Sequence, residues 1–314
     1  MIKRTIEISS GPARLSIRSR QLVIERDGER PATVPCEDVG LLLIDHPAVS
    51  YTHSVFIALA DAGAAVALCG GNHTPVSLML PLAGNAVQTE RFRAQLSAGA
   101  PLKKQLWHQI VACKLRQQSA VLGAVTAADA GLAAMARQVR SGDATNLEAQ
   151  AAARYWPRLF GRDFHRRRDG PPPNNLLNYG YMALRAATAR ALVVAGLLPT
   201  VGIHHRNRYN AFCLADDLME PYRPYVDLVV VEMDRAGMSE QSLGREQKAH
   251  LLGVLNHGVA VAGRRTPLLL ALQATASSLE RSFAARRAAL ALPDGLPAPP
   301  NQPDPENDDG AADV

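Results

Sequence analysis

The sequence predicts an α+β protein: a small N-terminal β-rich domain, then a larger all-helical C-terminal domain, then a disordered tail. Three observations carry this. Apolar residues alternate with a period of two through the first part of the chain, the period becomes helical near Pro101, and from residue 293 the composition turns acidic and proline-rich. The expected boundaries are 1–84 for the β-rich domain, 85–100 for a linker, 101–292 for the helical domain and 293–314 for the tail. A chain of 314 residues has ample material for buried cores.

In the β-rich part, Ile6 and Ile8, Leu15 and Ile17, and Leu22 and Ile24 alternate with polar neighbours, which places one face of each strand inside. The opening MIKRTIEISS shows this alternation and reads as a strand rather than a signal peptide. Arg26-Asp27-Gly28-Glu29 has the composition of a hairpin turn. Residues 41–44 and 65–68 are short apolar runs of the kind buried on both faces, and 54–62 is predicted as a helix between them. Pro75, Pro81 and Gly84 punctuate the end of this region.

From Pro101, Leu102, Leu106, Ile110 and Val111 share one helical face, and the pattern assigns Lys103, Lys104, Lys114 and Arg116 to the others. Further helical runs are predicted over 128–139, 145–160, 175–196, 240–256 and 268–290, with a hard break at Gly170-Pro171-Pro172-Pro173. The tail holds six acids and no Lys or Arg, a composition that favours disorder. No internal repeat occurs.

The net charge is +5, so the body without its acidic tail carries +11, which suits a polyanionic partner but is also common in proteins that bind none. Cys36, Cys69, Cys113 and Cys213 lie far apart with no CxxC pair, which argues against a zinc ribbon or a disulfide framework and suits a reducing cytoplasm. The most apolar run, 186–203, is interrupted by Arg190 and Pro199, so no membrane span is expected. There is no GxxxxGK[ST], no GxGxxG after a strand and no GxSxG elbow. Gly70-Gly71 is a turn without a phosphate-loop context, and Trp107 and Trp156 are assigned to the core.

The chemistry-bearing residues fall in three stretches. In GIHHRNRYNAFCLADDLMEPYRP, Asp217 and Glu220 are spaced i, i+3, so on a helix their carboxylates share a face and invite a cation. Hard oxygen donors favour magnesium or manganese, and an added imidazole tilts toward manganese. Spacing equally allows Asp216 and Asp217 to be acids at a helix N-terminus, followed by Pro221 in a first turn. Adjacent side chains diverge, so only one of His204 and His205 serves such a site, and spacing does not choose between them. Glu148 completes a capping-box pattern with Thr145, yet the alanines around it also permit close approach of another segment. Arg162 and Arg166-Arg167-Arg168 are either a solvated loop or a phosphate-binding one. Asn174, Asn175, Asn178 and Tyr179 then contact sugar and phosphate or cap the next helix.

Taken together, NLEAQAAARYWPRLFG, NNLLNYGYMALRA and GLLPTVGIHHRNRYNAFCLADDLMEPYRPYVD, preceded by LWHQIVACKLRQQ, resemble the CRISPR-associated protein one family, the integrase of spacer acquisition, in a short variant found in type II systems. The order and spacing of these segments make the match, which covers roughly 1–290. The resemblance implies a homodimer through the N-terminal domain and a heterohexamer-like complex with the small CRISPR-associated protein two. It implies double-stranded DNA, both prespacer and CRISPR repeat, as substrate, and Mg2+ or Mn2+ as cofactor. It places the metal-ligating glutamate at Glu148, the Gly-x-x-His histidine at His205 and the acidic pair at Asp217 and Glu220, with Glu220 where many relatives carry aspartate. The DNA contacts expected alongside are Arg162, Arg166, Arg167, Arg168, Asn178, Tyr179 and Arg206. The implied reaction is attack of a DNA 3′-hydroxyl on a repeat phosphodiester, with endonuclease activity. A stand-alone metal nuclease for branched DNA and a non-catalytic DNA-binding scaffold are the competing readings.

Overall fold

The structure, a computed structural model, describes residues 3–71, 75–239 and 243–298. Its N-terminal part contains strands β1 (Arg4–Ile8), β2 (Ala13–Arg18), β3 (Gln21–Glu25), β4 (Ala32–Pro35), β5 (Val39–Ile44) and β6 (Val49–Tyr51), helix α1 (His53–Asp61), then β7 (Ala65–Cys69) and β8 (Pro75–Met79). They form two four-stranded sheets, in the orders β1-β5-β7-β8 and β4-β3-β2-β6. β3 and β4 pair antiparallel across the turn at Gly28, whose φ of +77° suits glycine.

The apolar runs at 41–44 and 65–68 are the inner strands β5 and β7, paired in parallel. Alternate residues serve different cores. Leu41, Leu43, Ala65 and Ala67 pack into the helical body, whereas Leu42, Ile44 and Val66 face the small core with Leu15, Leu22 and Leu59. Burial on both faces explains why these strands show no alternation.

The rest is mainly helical: α2 (Gln88–Leu96), α3 (Ala100–Thr126), α4 (Leu132–Gln138), α5 (Leu147–Phe160), α6 (Asn174–Val194), α7 (Cys213–Met219), α8 (Arg223–Arg235), α9 (Arg245–Gly253) and α10 (Leu268–Ala284). The α+β class therefore holds: a strand-rich first part precedes a helical one. Gly180 lets α6 and α8 come together, because a Cβ there would collide with the Val226 side chain.

Three details differ from expectation. The stretch 85–100, expected as a linker, is mostly α2, which is fastened by its polar groups: Gln95 donates to the carbonyls of Leu198 and Val201, and Arg91 to that of Ala195. The C-terminal part is not all-helical, because β9 (Gly258–Val261), β10 (Arg264–Pro267) and β11 (Pro293–Ala298) form a small antiparallel sheet. Thus 293–298, expected to be disordered, is a strand. The Pro293 carbonyl accepts from Gln117 at 3.0 Å, and the Gly295 carbonyl from the Tyr225 hydroxyl at 2.7 Å. These backbone contacts are invisible to composition. Residues 299–314 of the expected tail, and 240–242 at the start of a predicted helix, lie outside the described residues.

All four cysteines are free thiols. Among the described residues no helix is long and apolar enough to cross a membrane.

Candidate active site

The site lies where α3, α5, the loop before α7 and the turn between α7 and α8 converge. Glu148 stands in the first turn of α5, which begins at Leu147 with Asn146 in a left-handed conformation as N-cap. Thr145 and Glu148 therefore form no capping box. Asp143 caps the helix instead, its two carboxylate oxygens accepting the N–H groups of Leu147 at 2.8 Å and Glu148 at 3.0 Å. This leaves the Glu148 side chain free to meet Lys114, whose Nζ lies 2.6 Å from Glu148 Oε1.

The same ammonium lies 2.6 Å from Oε2 of Glu220. Glu220 opens the one-turn 3-10 segment Glu220–Tyr222 after α7, and its other oxygen, Oε1, is 3.0 Å from Nε of Arg223. Its side chain is 5% exposed. Burial alone would raise the Glu220 pKa, but Arg223 and Lys114 outweigh it and hold the carboxyl below its ordinary value. For Lys114, burial works against the charge, yet Glu220 and Glu148 raise its pKa above the ordinary one. Lys114, assigned by spacing to a face apart from Leu106 and Ile110, points into the site, because α3 is buried nearly all round between Ile110 and Leu115.

The histidine pair divides as adjacent side chains must. His204 is exposed and stacks on the buried Trp107, with ring centroids 4.2 Å apart and planes 3° from parallel. His205 turns to Asp217, Nδ1 to Oδ1 at 2.5 Å. Asp217 is fully buried and also accepts the backbone N–H groups of Ile203 at 2.6 Å, His204 at 2.9 Å and His205 at 3.2 Å. Gly202 makes this possible, since a Cβ there would sit 2.9 Å from Asp217 Oδ2 and closer still to the His205 carbonyl. The hydrogen bond with Asp217 raises the His205 pKa; burial opposes it, and the Asp217, Glu220 and Glu148 charges add to it.

Asp217 and Glu220 accordingly do not share one cation position: the first serves the histidine loop, the second faces Lys114. Asp216 is bound by Arg185, Nε to Oδ1 at 2.6 Å, and by the Asn210 amide at 2.7 Å, so it fastens the loop to α6 and α7.

Of the expected DNA contacts, Arg162, Arg167, Arg168 and Arg206 are exposed. Arg166 is half-buried; it donates to Asn174 at 3.0 Å and to Asn178 at 2.7 Å, and lies over the Tyr181 ring. Asn178 in turn donates to the Arg168 carbonyl at 2.6 Å, so it shapes the arginine loop. Tyr179 is a correction: it is fully buried and its hydroxyl donates to Glu7 of β1 at 3.1 Å, so it offers DNA no surface. Arg223 also lies over Tyr181, at 4.7 Å from the ring centroid, which links the arginine loop to Glu220. On the rim beyond His205, Tyr209 is 81% exposed with Arg208 over its ring. Spacing finds none of Lys114, Asp143, Arg223 or Tyr181; the one available signal was a lone lysine inside an apolar stretch of α3.

Among the described residues, no three His, Cys, Asp or Glu side chains stand together as a ready metal-ligand set. The donors nevertheless fit a divalent cation. Two carboxylates from distant segments already converge on one positive group, and an imidazole lies near enough to feel both.

Comparison with known proteins is consistent across the chain. Residues 6–254 match the family model described as CRISPR associated protein Cas1. The chain is 38% identical over 300 residues to the CRISPR-associated endonuclease Cas1 of Neisseria meningitidis serogroup C (strain 8013), covering 95% of this chain and 98% of that relative. In fold it is similar to a casposase bound to integration product, with a TM-score of 0.74, 20% identity and 93% of each chain covered. It is also similar to a chain of a Cas6-RT-Cas1--Cas2 complex, with a TM-score of 0.70, 17% identity and 91% of this chain and 35% of that chain covered.

Proposed function

The chain belongs to the CRISPR-associated Cas1 family, and on that premise we propose that it is a metal-dependent DNA integrase with endonuclease activity, which inserts short foreign DNA into a CRISPR array. The observation that carries this reading is the meeting of Glu148 and Glu220 at one cation position beside His205. Glu148, Glu220 and His205 are the residues that would hold a magnesium or manganese ion, which would supply Lewis-acid chemistry for ionising a 3′-hydroxyl and neutralising phosphate charge.

The chain's own residues do the rest. Arg223 fixes one oxygen of Glu220 and leaves the other facing the site. Asp217 acts as a positioning residue, accepting Nδ1–H of His205 so that Nε2 carries the lone pair. Arg162, Arg167, Arg168 and Arg206 hold the duplex through phosphate oxygens, where guanidinium forks fit well. Phosphate contacts carry no base code, so the repeat is read mainly through its shape and deformability. The working unit is a homodimer bridged to another by the small Cas2 protein. The family resemblance supports this, as does the shared fold with a chain from a Cas1–Cas2 assembly.

The test is a joining assay with the purified protein, its small partner, manganese or magnesium, a labelled short duplex and a repeat-bearing plasmid. Joining is expected, and Glu148→Gln or His205→Ala is expected to abolish it; joining that survives either change overturns the site. Cleavage without joining and without need of a partner would instead identify a stand-alone nuclease. Undiminished function under chelation would identify a scaffold.

A further inference from the structure

We propose that Lys114 is a built-in placeholder for the catalytic cation: its ammonium holds the Glu148 and Glu220 carboxylates together until the metal arrives, and then withdraws. This rests on the metal-dependent reading above, and the experiment separates the two.

The geometry sets up a direct competition. One Nζ lies 2.6 Å from an oxygen of each carboxylate, so the ammonium sits between the two. It is hydrogen-bonded to Glu148 Oε1 and in close charge contact with Glu220 Oε2, whose hydrogen-bonding capacity stays unsatisfied. Lys114 and Glu220 are largely buried, with 12% and 5% of their side chains exposed. Two carboxylates brought together in such surroundings repel strongly unless a positive group lies between them. With Arg223 on the far oxygen of Glu220, the cluster has two positive and two negative groups and is balanced as it stands. A divalent ion added beside an unmoved lysine would leave a buried excess of positive charge. A lysine suits this exchange better than an arginine. Its charge is a single point on a flexible four-carbon stem, able to swing away, whereas a guanidinium fork would clamp both carboxylates.

The test uses the full chain and Mn2+ alone, followed by electron paramagnetic resonance of free Mn2+ and by thermal unfolding. In Lys114→Met the carboxylates lose their placeholder. The metal-free melting temperature is expected to fall, saturating Mn2+ to raise it by more than in the wild type, and Mn2+ to bind at least ten-fold more tightly. In Lys114→Arg the fold is kept and Mn2+ is expected to bind at least ten-fold more weakly, which decides the matter should the methionine variant not fold. If the wild type and Lys114→Met bind Mn2+ equally, or Lys114→Met binds it more weakly, the placeholder role is overturned while the metal site stands. Unchanged affinity in Lys114→Arg likewise overturns the role. If no form binds Mn2+, both readings fall.

Discussion

Nδ1 of His205 lies 2.5 Å from Oδ1 of Asp217, so one ring nitrogen is committed and only Nε2 is left to act. Asp217 also gathers three successive backbone N–H groups, so ring and loop are positioned by a single buried carboxylate. On the proposed metal-dependent reading, a residue so engaged orients the histidine ligand instead of being one. Asp217→Asn is therefore expected to weaken Mn2+ binding and joining by about 10- to 100-fold, the usual cost of losing a group that orients a metal-binding histidine. His204→Ala is expected to leave both nearly unchanged, because that ring stacks on Trp107 and meets His205 only edge-on, whereas Asp217 holds His205 by a hydrogen bond. Mn2+ titration and joining rates of the two variants check this. Equal losses in both would refute the division between the histidines.

The capping of α5 can be tested apart from catalysis. Asp143 accepts two of the helix's free N–H groups, whereas Thr145 makes no side-chain cap. Asp143→Ala is expected to destabilise the protein by about 1–2 kcal/mol, and Thr145→Ala to change stability by less than about 0.5 kcal/mol. Urea unfolding of both would show it. The reverse order would restore the capping box.

The arginine loop should divide into surface and scaffold. Arg162, Arg167 and Arg168 are exposed; if each neutralises a phosphate, replacing all three by alanine lowers the slope of log K against log salt by about 3 without changing stability. Arg166→Ala is expected to cost about 2 kcal/mol of stability, because that guanidinium ties Asn174, Asn178 and the Tyr181 ring together. Fluorescence anisotropy across a salt series and urea unfolding separate the two effects.

What was legible in the sequence follows the range of the forces involved. Residues 41–44 declare a strand buried on both faces because apolar burial leaves its mark within a few residues. The divergence of His204 and His205 follows from backbone geometry alone. The role of Lys114 is not legible in the spacing because its carboxylate partners come from other segments, one of them 34 residues away, and helical spacing sees one helix at a time. Helix α8 escaped for a related reason: its Val229-Val230-Val231 run is β-branched, and burial in the helical core overrides that local preference. The strand 293–298 owes its order to Gln117 and Tyr225 from distant helices, so its proline-rich composition misleads. Glu148, His205 and Glu220 are proposed as one site through the order of segments in the family resemblance, since spacing alone explains each of them equally well without a metal.

Beneath the site, Asp227 accepts hydrogen bonds from the hydroxyls of Tyr155, at 3.0 Å, and Tyr181. Burial pushes its pKa up to about 6, against the opposing pull of those two bonds. The unfolded chain releases this proton near the ordinary aspartate value of 3.8. Between these values the folded protein still holds a proton that the unfolded chain has lost. Stability from this group is therefore present at low pH and falls as pH rises through the window, by about 3 kcal/mol in all, the loss being complete above the folded pKa. Asp227→Asn carries no such proton. The wild type should accordingly lose stability relative to the variant as pH is raised from about 4 to above 6, and urea unfolding across that range measures the difference. A constant difference would mean that Asp227 titrates alike in the folded and unfolded states. That would place it in surroundings far more polar than the two tyrosines provide.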